Sequence, residues 1–71
     1  MPVATLQLER DSLQRAIADA RSRLHCKPVD LALAEANLAF AGVEFEEGDA
    51  RRAREHLSSG RQHAAVAATC P

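Results

Sequence analysis

Apolar residues recur along this chain at steps of three and four, the period of an amphipathic helix, in three successive stretches. The first covers about residues 5–25, with Leu6, Leu13, Ile17, Ala20 and Leu24 on one face and polar residues on the other. Thr5 reads as its N-cap. The pairs Asp11/Arg15 and Asp19/Arg23 place the acid four residues before the base, the better orientation for support along a helix. The second stretch, about 28–47, carries two stripes: Leu31, Ala34, Leu38, Ala41 and Phe45 on one side, Leu33, Ala36, Phe40 and Val43 on another. A helix apolar on two faces needs two neighbours. These are either the first and third helices or a second copy of the chain. The third stretch, about 49–69, turns Ala53, Leu57, Gly60, Ala64 and Ala67 inward. Its run Ser58-Ser59-Gly60 lowers helix propensity and marks a site for a kink, making this the weakest of the three.

Two breaks separate the stretches. Pro28 lacks an amide proton and disfavours helix in the residue before it, yet suits the first position of a new helix, where Asp30 complements the dipole. Gly48 suits the position just past a helix end and Asp49 suits an N-cap, so a very short link turns the third helix back against the second. The expected fold is all-α, a three-helix up-down-up arrangement built on a hairpin over about 28–69 that a second copy could complete. All 71 residues then form one small domain.

Composition thins this picture. Alanine is the commonest apolar residue and the only aromatics are Phe40 and Phe45, so the core must be shallow and the helices close. A chain this short usually needs a staple, a metal or a partner. The net charge of −1 argues against nucleic-acid binding. Charge is segregated: residues 1–27 and 49–71 are each +2 and residues 28–48 are −5, which suits an acidic helix lying between two basic ones. The apolar run from Val29 to Phe45 is broken by Asp30, Glu35, Asn37 and Glu44, so no membrane span is expected. The opening Met-Pro-Val-Ala-Thr has neither a basic n-region nor an apolar stretch, so no signal peptide is read there.

The two cysteines are the sharpest chemical feature. Cys26 lies 22 residues before Gly48 and Cys70 lies 22 after it, so equal antiparallel arms bring both to the open end of the hairpin. A disulfide there is the favoured expectation, given an oxidising compartment. The alternative is a small metal-binding protein using Cys26, Cys70 and a histidine such as His25, although paired metal-ligand spacing is missing. His56 and His63 stand seven apart on one face, too far to share an ion, and read as surface or boundary residues. Glu44, Glu46 and Glu47 read as a solvated acidic corner rather than a calcium loop. Ser58 and Ser59 near His56 lack an oxyanion site, so no catalysis and no cofactor are expected.

The stretch CKPVDLALAEANLAFAGVEFEEGDARRAREHL, Cys26 to Leu57, resembles a helical region of bacterial envelope proteins that commonly precedes an OmpA-like, peptidoglycan-binding domain. Cys26, Pro28, the Leu31 to Leu38 spacing, Phe40-Ala41, Gly48-Asp49 and the run Arg52 to Leu57 carry the resemblance, as does the tail ending Cys70-Pro71. It implies a spacer or docking element of the periplasm or the inner face of the outer membrane, with no catalytic residues. Its partner would be a second copy or another envelope component; the two apolar stripes of the second helix, chiefly Leu33, Phe40, Val43 and Phe45, are the expected contact. The hairpin also looks like a single tetratricopeptide unit, with Phe40, Ala41, Gly48, Ala53 and Leu57 at matching positions. Asn37 and Glu44 depart from that repeat, and no second copy follows, so a peptide-binding superhelix is not expected. A cytosolic adaptor of that character is the remaining alternative.

Overall fold

Pro28 opens the longest helix and Gly48 closes it, and the rest of the architecture follows from that rod. The computed structural model describes residues 3–23 and 27–69, which form α1 (Val3–Arg21), α2 (Pro28–Glu47) and α3 (Ala50–Ala67). The helices run up, down and up as a three-helix bundle of 38 × 18 × 14 Å, with no strand among the described residues.

The link between α2 and α3 is fixed by local chemistry. Gly48 adopts φ 75°, ψ 19°, a left-handed conformation that costs glycine least. Its N–H donates to the Phe45 carbonyl at 3.2 Å, and Asp49 N–H donates to the Glu44 carbonyl at 2.8 Å. This Schellman pattern satisfies carbonyls that the helix end would otherwise strand. Asp49 then serves the next helix: its side chain accepts from Arg52 N–H at 3.1 Å, capping α3. One residue thus ends one helix and starts another.

α1 differs from expectation at both ends. It already includes Val3 and Ala4, so Thr5 lies inside the helix rather than capping it; alanine favours helix and nothing there opposes an earlier start. It stops at Arg21 rather than near residue 25. Ser22 Oγ donates to the Asp19 carbonyl at 2.7 Å, and Ser22 N–H is shared between the Ala18 and Asp19 carbonyls, which closes the last turn locally. Leu24 and His25 lie outside the described residues. Arg23 and Asp19 pair at 3.1 Å as expected, whereas Asp11 meets its neighbour Arg10 at 4.0 Å.

Leu6, Leu13, Ile17 and Ala20 of α1, Leu31, Ala34 and Ala41 of α2, and Ala53, Leu57, Ala64 and Ala67 of α3 make the core. Leu38 and Phe45 pack against it. The wholly buried large side chains are Leu6, Leu13 and Leu57, which confirms a shallow core. α1 leans more on α3 than on α2, so the basic α3 is the shared element and the acidic α2 is not the middle layer. Nor does α3 break at Ser58-Ser59-Gly60. It is continuous, and Gly60 is where the other two helices approach: a methyl built there would lie 2.7 Å from Leu13 Cδ2 and 3.2 Å from Asn37 Cβ.

Candidate functional site

α1 and α3 both cover the same side of α2. The stripe containing Leu31, Ala34 and Ala41 faces them, and the second stripe is left facing solvent. At about 100° per residue, Val29, Ala36, Phe40 and Val43 point away from the core, with Leu33 just beside them. Val29 is 69% exposed, Leu33 40%, Phe40 54% and Val43 53%, with the small Ala36 half-buried among them. These residues recur at steps of four and three from 29 to 43, the spacing of a helix-packing seam. A run of this kind is unlike the scattered exposed apolar residues of an ordinary surface.

Of the four expected contact residues, the structure brings Leu33, Phe40 and Val43 together and places Phe45 elsewhere. Phe45 packs on the core, with the Arg10 guanidinium 5.3 Å from its ring centroid. Arg10 Nε, buried without a hydrogen bond, belongs to that guanidinium. Val29 and Ala36 complete the stripe in Phe45's place.

The edge of the stripe against α3 is polar and organised. Glu44 is 8% exposed, and its Oε1 accepts from His56 Nδ1 at 2.6 Å. The His56 ring also lies 5.3 Å from the Phe40 ring, tilted by 48°. Near the other end of α2, Asp30 Oδ1 accepts from His63 Nδ1 at 3.1 Å. Glu44 is therefore not part of a solvated corner, whereas the two histidines do stand at the boundary, where they also tie α2 to α3. The signal was present: Asp30 and Glu44 share one side of α2, His56 and His63 one side of α3, and an antiparallel hairpin brings those sides together. On the opposite edge Glu35 bonds Arg21 of α1.

Among the described residues no three His, Cys, Asp or Glu side chains converge. Ser58 and Ser59 line an open depression on the outer face of α3 with Arg51, Arg54 and Glu55, while His56 turns away toward Glu44. Among the described residues no helix is long and apolar enough to cross a membrane. Cys26 and Cys70, the expected disulfide and the alternative metal ligands, lie outside the described residues, as does His25. Their neighbours do meet: Lys27 Nζ donates to Thr69 Oγ1 at 3.1 Å. Compared with known proteins, the chain matches no family model, no curated protein and no solved structure.

Proposed function

We propose that this chain is a non-catalytic helical interaction module of a bacterial cell-envelope protein, acting through the solvent-facing stripe of α2. The observation that carries the proposal is the unbroken apolar run Val29, Leu33, Ala36, Phe40 and Val43, opposite a core that is already complete without it. The envelope location is supported by the resemblance of Cys26 to Leu57 to the region preceding peptidoglycan-binding domains. The meeting of Lys27 with Thr69, next to each cysteine, is consistent with a bridge formed in an oxidising compartment.

The contact role is tested by the double substitution Phe40→Glu/Val43→Glu, followed by circular dichroism and thermal melting at low protein concentration. Exposed contact residues should leave helix content and the concentration-independent melting temperature within a few degrees of the parent, as surface substitutions do. A fall of more than about 10 °C, well over 1 kcal/mol for a domain this small, would make them monomer core and remove the proposal. Fractionation of producing cells addresses location: recovery in the cytoplasm alone would sink the envelope assignment.

A further inference from the structure

The stripe on α2 is nearly symmetric about its own midpoint. Ala36 is the centre; Leu33 and Phe40 lie three and four residues to either side, and Val29 and Val43 lie seven to either side. A second α2 laid antiparallel across it, with the two-fold axis at Ala36, sets Val29 against the partner's Val43 and Leu33 against the partner's Phe40. The small Ala36 residues then face each other and let the backbones approach. A two-fold contact requires such self-complementarity, since each pairing occurs twice.

Charge selects the same direction. The C-terminal end of the stripe carries Glu46 and Glu47, and among the described residues neither has an ionic partner. At the N-terminal end the Lys27 ammonium is held by the neutral Thr69 hydroxyl. The acids nearer the seam are engaged within the chain, Asp30 with His63 and Glu44 with His56. Antiparallel packing brings each Lys27 toward the partner's free carboxylates and opposes the two helix dipoles head to tail. Parallel packing would stack acid on acid, base on base and Phe40 on Phe40.

We infer that the occupant of this face is a second copy of the chain, packed antiparallel along α2 with Ala36 on the two-fold axis. The inference rests on the reading of the stripe as a contact surface and adds the partner and its direction. The seam is about 21 Å long, at the small end of stable interfaces, so the dimer forms at micromolar concentrations or above.

The experiment uses the whole chain with a photo-reactive benzoylphenylalanine at position 40, a close replacement for the native ring. Light scattering of the parent chain across concentration should show a rise from the 7.7 kDa monomer toward twice that mass. Phe40→Glu/Val43→Glu should weaken this association at least tenfold, and added salt should weaken it several-fold. After irradiation and cleavage at glutamate, the peptide 36–44 should be joined to the one ending at Glu35, which contains Leu33. A link from position 40 to position 40 or 43 of the partner indicates parallel packing and overturns the inference, as does a monomer mass at every concentration. Both results leave the contact surface itself standing, because that reading falls only if the double variant loses its monomer fold.

Discussion

Two glycines inside helices separate propensity from packing, and replacing each by alanine tests how the bundle is assembled. Gly42 lies within α2 and Gly60 within α3. Alanine favours helix over glycine by about 1 kcal/mol, so propensity alone stabilises both variants equally. The surroundings differ. A methyl at position 42 meets nothing within 4 Å, so Gly42→Ala should keep the full gain and raise the melting temperature by about 4–8 °C. At position 60 the methyl would lie 2.7 Å from Leu13 Cδ2, 3.2 Å from Asn37 Cβ and 3.5 Å from the Ala34 carbonyl oxygen. Carbon atoms prefer about 3.5–4.0 Å, and Leu13 is wholly buried, with no room to swing aside. Overpacking of this kind costs about 1–3 kcal/mol, more than propensity returns, so Gly60→Ala should be less stable than the parent by about 1 kcal/mol. Thermal and urea unfolding followed by circular dichroism would measure both. Combining Gly60→Ala with Leu13→Ala removes the clash partner, so the pair should cost less than the sum of its members. If Gly60→Ala rises in step with Gly42→Ala, α1 does not seat on α3 here and the close three-helix approach is wrong.

The remaining predictions concern the hairpin and its open end. Asp49→Ala should lower stability by about 1 kcal/mol through loss of the α3 cap, a deficit that Asp49→Ser should largely recover. Leu57→Ala, at a wholly buried position, should cost about 2–5 kcal/mol, enough to leave a domain of this size substantially unfolded at room temperature; a fully cooperative melt near that of the parent would refute its core role. Mass measurement of oxidised protein should find the chain two hydrogens lighter than its reduced form, and reduction should remove up to about 4 kcal/mol in the chain-entropy model. Two freely alkylated thiols would argue against the bridge.

The parts of the fold legible from sequence are those where one residue type has one use. Pro28, Gly48 and Asp49 bound α2 and start α3 because each suits a place few residues do: proline a helix's first turn, glycine a left-handed helix end, aspartate an N-cap; the structure begins and ends α2 at the expected residues. The α3 positions expected to face inward, Ala53, Leu57, Gly60, Ala64 and Ala67, are all buried, because mostly polar residues occupy its other faces up to the last turn, where Val66 is exposed. Gly60 is ambiguous in sequence alone. A glycine within a helix signals either a weak point or a close approach, and only the neighbours distinguish them. The start of α1 at Val3 is not legible from Thr5, because threonine tolerates both a cap and a helix interior. The charge segregation suggested a layer order that the packing does not follow, since exposed charges contribute too little to overrule the burial of leucines.

The two stripes of α2 are the case where hydrophobicity could not decide. One holds Leu31, Leu38 and Phe45 with two alanines; the other holds Val29, Leu33, Phe40 and Val43 around Ala36. Burying either one offers a similar gain. The choice is made by the polar residues between them. With the first stripe inward, Asp30 and Glu44 fall beside α3, where His63 and His56 donate to them, and Asn37 comes alongside Gly60, where there is room for it. Rotating α2 to bury the second stripe would carry both carboxylates off these histidines, losing about 1 kcal/mol or more for each hydrogen bond, and would expose Leu31. The same contacts that seat α2 in its bundle thus fix which apolar face stays outside. A monomer that already satisfies its polar groups gains nothing by turning that face inward, so only another surface can cover it.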